Sequence, residues 1–243
     1  MAVNSRIKAT KSKLNKSLSA PIVISVGGSL VVPELIDTQF LTNFKKTIDE
    51  NVSKGVRFII ICGGGKTARN YQKAGQNITT LGSKEIDWLG IHATRLNSQL
   101  LKTIFAPNVE EVIVHNPNEE IRYKKPILIA AGWKPGWSTD YIAVLLAKRF
   151  GAVKMINLSN IDCVYDKDPK KYFDARPIMN ISWKDFRAII PKKWDPGLSS
   201  PFDPIASREA EKQGIQVAII NGENPGQLEN FIHDKSFDGT LIS

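Results

Sequence analysis

The residues best placed to do chemistry are Gly63, Gly64, Gly65, Lys66 and Arg69, in the run Cys62-Gly63-Gly64-Gly65-Lys66-Thr67-Ala68-Arg69. Three glycines in a row carry no Cβ, so the backbone can approach a ligand closely. The run before them, Val56 to Cys62, is apolar, β-rich and without alternation, as a buried strand reads. Lys66 to Lys73 is compatible with a helix. A strand, a glycine turn and a helix start place free N–H groups and the positive end of a helix dipole together, which suits an anion. Lys66 and Arg69 add full positive charge. The run therefore reads as a phosphate-contacting loop; the alternative is a tight turn that binds nothing. It is not a Walker A loop, because Ile60 stands where that motif needs glycine. The dinucleotide pattern G-x-G-x-x-G fails as well, at Ala68. A second element of the same kind follows the strand Pro21 to Val26, where Gly27-Gly28-Ser29 sits at the strand end.

The rest of the composition narrows the chemistry. The chain has 243 residues, enough for one large α/β domain or two small ones. No apolar run approaches the roughly 20 residues of a membrane span. Cys62 and Cys163 lie in different apolar contexts without metal-ligand spacing, so both are expected to stay reduced, in a cytoplasmic setting. His92, His115 and His233 are scattered and read as structural. No Ser-His-Asp or Cys-His set and no metal-binding cluster is evident, which favours phosphoryl transfer over hydrolysis. The net charge is +9. Arg6, Lys8, Lys11, Lys13 and Lys16 belong to the first twenty residues, which hold no acid. That segment reads as a basic, flexible N-terminal extension; a transit peptide and weak nucleic-acid contact are the alternatives. No aromatics interleave with its cations, so specific nucleic-acid binding is not expected.

Helices alternate with strands along the remainder. Helices are expected over Asp37–Lys54, Ser83–Phe105, Asp140–Phe150, Trp183–Ile190, Asp203–Gln213 and Pro225–His233. In the second of these Ser83 is the expected cap, and Ile86, Leu89, Ala93, Leu96, Leu100 and Ile104 form the expected inner face. Further strands are expected at Val109–Val114, Ile127–Ala131, Lys154–Leu158 and Gln216–Ile220, with an edge strand at Thr240–Ile242. The pattern predicts an α/β fold, a three-layer α/β/α sandwich with a mainly parallel central sheet. Ligands bind such sheets at the carboxyl ends of the strands. Four loops fall there: Gly27–Ser29, Gly63–Lys66, Gly132–Thr139 and Ser159–Asp168. Pro191–Pro204, rich in proline, reads as an ordered loop. Lys192 and Lys193 beside Trp194 read as a solvated face. Asp203 reads as a helix cap and Asp168, before Pro169, as turn chemistry.

With those segments in hand the chain resembles the amino acid kinase superfamily, and within it the archaeal-type uridylate kinases. The matching segments are VGGSLVVPE (26–34), CGGGKTARNY (62–71), DWLGIHATRLNSQLL (87–101), AGWKPGWSTDYIAVLLAKRFGA (131–152), NLSNIDCVYDKDPKK (157–171), FDPIASREAEKQGI (202–215) and DGTLI (238–242). The resemblance implies ATP-dependent phosphorylation of UMP to UDP, in pyrimidine nucleotide biosynthesis, with Mg²⁺ carried by the nucleotide phosphates and no metal site on the protein. It implies one kinase domain over 21–243, with an acceptor-binding N-terminal part and an ATP-binding part from about 140. Gly28, Ser29, Gly65, Arg69, Ser159, Asn160, Tyr165 and Asp168 are the implied ATP contacts. Gly64, Asp87 and the loop Trp133, Lys134, Pro135, Gly136, Trp137, Ser138 and Thr139 are the implied UMP contacts. Asp140 would organise the reacting centre. The family further implies a homohexamer, a trimer of dimers, through the Asp37–Lys54 region.

Three departures stand out. Many superfamily members carry lysine two residues before the first glycine pair, where this chain has Ser25 and where archaeal uridylate kinases also lack lysine; Lys134 or Lys66 is the expected replacement. Trp133 and Trp137 shield the site, stack on a base or pack on a neighbouring loop. Cys163 takes a position often glycine in the family. Two other readings follow from the same residues: a kinase of this fold with another phosphate or carboxylate acceptor, and a non-catalytic nucleotide-binding or storage protein.

Overall fold

The computed structural model describes residues 20–193 and 200–243. The basic extension, apart from its last residue, and the stretch 194–199 with Trp194 lie outside the described residues.

In chain order the elements are β1 (Ile22–Val26), α1 (Gly28–Val31), α2 (Thr38–Ser53), β2 (Phe58–Cys62), α3 (Gly65–Ile78), α4 (Ser83–Ile104), β3 (Ile127–Ala130), α5 (Thr139–Phe150), β4 (Lys154–Ser159), β5 (Val164–Tyr165), β6 (Pro177–Ile178), β7 (Asn180–Ile181), α6 (Trp183–Ile189), α7 (Pro204–Lys212), β8 (Gln216–Asn221), α8 (Pro225–Ile232) and β9 (Thr240–Ile242). The main sheet runs β3-β2-β1-β4-β8-β9-β7, and β5 pairs with β6 as a separate ribbon. The pairs from β3 across to β8 are parallel; β9 runs antiparallel to β8.

Strand periodicity sorts the core into two layers, because successive side chains point to opposite faces. Val23, Ile59, Ile61, Leu128 and Met155 pack with Ile142, Leu146, Phe186 and Phe202 from α5, α6 and the entry to α7. Ile24, Phe58, Ile60, Ile129 and Ile156 pack with Phe40, Phe44, Ile48, Leu101 and Leu228 from α2, α4 and α8. This is the three-layer sandwich expected from the sequence. Strands β1, β2 and β3 step one way across the sheet with their connecting helices on the α2/α4 face. The chain then returns past β1 to β4 through α5, which packs on the other face. The order therefore reverses between β1 and β4, and that crevice is where a ligand binds in such sheets.

Four expectations are corrected. Val109–Val114 is not a strand: it makes only isolated bridges, Val109 to Ile127 and Val114 to Ala130. Strand β9 is not an edge, because it lies between β8 and the short β7. Ser83 does not cap α4; Gly82 holds the cap position, with no side-chain hydrogen bond. The inner face of α4 is also different. Ala93 is buried and Leu100 and Ile104 pack on the core as expected, but Leu96 is 64% exposed, and Asp87, Ile91, Thr94, Asn97, Ser98 and Leu101 are buried as well. Apolar spacing misled there because the helix crosses backbone at the strand ends, and backbone needs polar partners.

The tightest packing joins the two glycine turns. A Cβ on Gly28 would lie 2.1 Å from the Gly65 nitrogen and 2.5 Å from the Gly63 carbonyl carbon. Gly65 has φ +60, and a Cβ there would lie 2.3 Å from the Gly28 oxygen. Gly55, with φ +89 and open space, is the internal contrast. Gly65→Ala should therefore lose more than about 2 kcal/mol in urea unfolding, and Gly55→Ala only about 1 kcal/mol. Equal losses would contradict the close contact.

Candidate active site

A cleft of about 760 Å³ opens at the point where the strand order reverses. Its walls include Ser25, Gly28 and Ser29 from the β1 end, Asn157, Ser159 and Asn160 from the β4 end, and Gly63 and Arg69 from the glycine turn and α3. Thr139 and Asp140 join from the start of α5, and Tyr165, Asp168 and Lys170 from the segment around β5. Residues from all four strand-end loops thus meet in one cleft. Gly64 and Gly65 sit in the adjoining turn. The N–H groups of Gly28, Ser29, Gly64 and Gly65 donate to no described acceptor, so the paired turns keep four donors for an anion. Arg69 is exposed on α3, and its Nη1 donates to Ser29 Oγ at 3.4 Å, which fixes a cation over the first turn. Asp168 caps a turn by accepting from the Lys170 N–H at 2.9 Å, so its turn chemistry and its place on the cleft coexist.

Asp140 is the electrostatic centre. Ser25 Oγ donates to its Oδ1 at 2.7 Å, Asn157 Nδ2 donates to the same oxygen at 3.1 Å, and the Asp203 N–H donates to Oδ2 at 3.3 Å. Ser25 is therefore a partner of Asp140. Burial pushes the Asp140 carboxyl up to about 7; the Ser25 hydrogen bond opposes the rise, and the nearby negative charge of Asp203 adds to it. Asp203 caps α7, as expected, accepting from the Ile205 and Ala206 N–H groups at 2.6 Å each. Its other oxygen, Oδ2, is buried without a partner, and burial raises this carboxyl too.

The loop 132–138 lies against α4. Thr94 Oγ1 accepts from the Gly132 N–H at 2.8 Å, and Asp87 Oδ2 accepts from the Gly136 N–H at 2.7 Å. Asn97 Nδ2 donates to the Gly63 oxygen at 2.9 Å, and Ser98 Oγ to the Ala130 oxygen at 2.9 Å. Helix α4 therefore sets the glycine turn and this loop relative to each other. Thr94, Asn97 and Ser98 were missed in the sequence, although small polar residues recurring with Asp87 at helical spacing were a usable signal. Gly64 also serves this packing, since a Cβ would lie 2.6 Å from Ala68 Cβ and 3.2 Å from the Gly90 oxygen.

The aromatic residues form a ladder. Trp133 stacks on Trp137 (6.3 Å between centroids), and Trp137 stacks on Tyr141 (4.4 Å). Lys134 Nζ lies 4.1 Å from the Trp133 ring centre. Trp137 thus packs on aromatic neighbours of its own loop and of α5. Lys66 pairs with Glu34 at 2.7 Å. Neither lysine reaches Ser25 in this conformation. Cys62 and Cys163 are unpaired and buried, and burial pushes the Cys62 thiol up to about 12. Among the described residues no group of three acidic, histidine or cysteine side chains could hold a metal, and no helix is long and apolar enough to cross a membrane.

Comparison with known proteins adds an independent line. The model of the amino acid kinase family matches residues 20–221. The uridylate kinase of Hyperthermus butylicus is 31% identical over 225 residues, which are 92% of this chain and 98% of that protein. The uridylate kinase of Methanocaldococcus jannaschii is 34% identical over 232 residues, covering 91% and 98%. Among solved structures, uridylate kinase from Archaeoglobus fulgidus superposes with a TM-score of 0.77 at 29% identity, covering 92% of this chain and all of that one.

The Asp140 carboxyl has a pH signature. Its folded pKa lies above the unfolded value, so the folded state binds more protons between the ordinary aspartate range and about pH 7. The contribution of this group to stability is therefore full below that range and is lost as pH rises through it. Asp140→Asn should melt higher than the wild type at pH 8, with the gap closing by pH 4. A lower melting temperature at pH 8 would contradict the assigned environment.

Proposed function

The chain belongs to the amino acid kinase family, and from that premise we propose that it transfers the γ-phosphate of ATP to UMP, making UDP for pyrimidine nucleotide synthesis. The observation that carries this reading is the pair of glycine turns at the β1/β4 crevice, with their unpaired N–H groups beside Arg69.

The reaction needs little covalent help. A nucleoside monophosphate has a second pKa near 6, so at neutral pH it is already a nucleophilic anion. Like charge is the obstacle, and backbone N–H groups, cations and in-line placement answer it. We assign the donor to the cleft: Gly28, Ser29 and Gly65 beneath the phosphates, Arg69 above them, and Ser159, Asn160, Tyr165 and Asp168 along the nucleoside. The acceptor goes to Gly64, Asp87 and the loop Trp133–Thr139. In this division the acceptor half is N-terminal and the ATP half begins near 140, within one kinase domain over 21–243. Asp140 stands where the halves meet, and Ser25, Asn157 and the Asp203 N–H hold its orientation. Because its carboxyl is raised to about 7, it adds less than a full negative charge to a crowded anionic site.

Magnesium suits these residues. The paired carboxylates of Asp140 and Asp203, one oxygen of which is buried and unpartnered, tolerate a cation close by. The ion would be held by the nucleotide phosphates and would supply positive charge to the transferred group. Lys134 is the assigned mobile cation: its perch on the Trp133 ring is one a phosphate can outcompete. Lys66 is the second cation of the turn, steadied by Glu34.

We also propose a homohexamer, a trimer of dimers, in the cytoplasm. Leu35 and Ile36 just before α2, Tyr71 and Ile78 on α3, and Leu96 on α4 are exposed apolar side chains. They support a dimer contact at the entry to α2 and along α3 and α4, beside the Asp37–Lys54 region. Buried, unpaired cysteines support a reducing compartment.

Coupled ADP release should rise at least tenfold over buffer when UMP joins ATP and Mg²⁺, and less with CMP, AMP or a carboxylate acceptor. No rise with UMP refutes the assignment. In the same assay Lys134→Ala should lower turnover about tenfold, as loss of a charge-compensating contact does; unchanged turnover removes Lys134 from the mechanism. Sedimentation that returns the mass of one chain would overturn the oligomer.

A further inference from the structure

Helix α4 holds the acceptor loop by more than its length. Two loop N–H groups end on α4 side chains, Gly132 on Thr94 and Gly136 on Asp87. Between them the carbonyls turn the same way. Arg95 Nη2 donates to the Trp133 oxygen at 3.1 Å, and Arg95 Nε donates to the Gly132 oxygen at 3.4 Å.

That arrangement dictates where the intervening N–H groups go. Both peptide units are trans, and in a trans unit C=O and N–H point to opposite sides. Holding the Gly132 and Trp133 oxygens on Arg95 therefore aims the N–H groups of Trp133 and Lys134 away from α4. Neither donates to a described acceptor, and Pro135, next in the chain, has no N–H. The loop thus shows two adjacent donors on its open side.

Arginine suits the task better than lysine, because its planar fork serves two carbonyls at once. Arg95 has no carboxylate partner among the described ion pairs; its guanidinium carbon also lies 5.8 Å from the Trp88 ring centre, and its charge reaches His115. A cation on the oxygen side polarises each peptide and strengthens its N–H as a donor.

We infer that Arg95 is a positioning residue that presents the N–H groups of Trp133 and Lys134 as a paired donor to an oxygen of the acceptor nucleotide. This rests on the reading of loop 132–139 as the acceptor site. Arg95 acts through the loop carbonyls, so its effect is expected on the acceptor rather than on ATP.

The test measures UMP affinity by calorimetry, together with KM for UMP and for ATP, in the full-length wild type, Arg95→Met and Arg95→Lys. Arg95→Met should weaken UMP binding about tenfold or more, the scale of a charge-assisted hydrogen bond, and leave KM for ATP within twofold. Arg95→Lys, which keeps the charge and folds even if the Met variant does not, should recover part of the loss. UMP binding within twofold of wild type in both variants would overturn the inference, as would equal losses for UMP and ATP. A wild type that binds no UMP would instead sink the acceptor reading, and this inference with it.

Discussion

Two peptide turns touching without side chains between them set the geometry of everything else. Gly28 and Gly65 approach so closely that a methyl group on either would overlap the other's backbone. Strands β1 and β2 are neighbours in parallel register, with Val26 opposite Cys62, so both turns leave the sheet at one height. Contact between them stops each backbone from folding over the other's N–H groups. The donors of Gly28, Ser29, Gly64 and Gly65 are left unpaired as a result. Unpaired backbone donors are costly when dry; Gly28 and Ser29 line the open crevice, and Gly64 and Gly65 follow Gly63, which lines it too.

Around that floor the protein spends polar residues where a core would use apolar ones. Helix α4 meets the ends of β2 and β3 through Asn97 and Ser98, and the following loop through Asp87, Thr94 and Arg95. Ser25 and Asn157 lie on neighbouring strands and both end on one oxygen of Asp140. Burial raises the proton affinity of both Asp140 and Asp203, and the charge of Asp203 adds to the rise at Asp140. Such concentration of strained or desolvated groups is characteristic of sites built for function rather than for stability.

The layer order, most helices and the convergence of strand-end loops were legible in the sequence, because apolar runs and glycine stops report burial directly. Asp203 and Asp37 behave as the helix caps their residue types suggest. The inner face of α4 was legible only in part: Ala93, Leu100 and Ile104 pack inward as expected, whereas Leu96 is exposed and the buried polar residues carry no apolar signal. The short β5–β6 ribbon and β7 were missed because two-residue strands carry no periodicity. For the site, glycines and cations announced an anion. The resting places of Lys66 on Glu34 and Lys134 on Trp133 depend on tertiary neighbours and left no local mark.

The most direct measurement is a crystal structure of the chain with UMP and a non-hydrolysable ATP analogue bound together. The account predicts the transferable phosphate within hydrogen-bond reach of the Gly28 and Ser29 N–H groups, the acceptor phosphate beside Gly64, and Asp140 between them. Nucleotides ordered elsewhere, with both glycine turns facing bulk water, would contradict it.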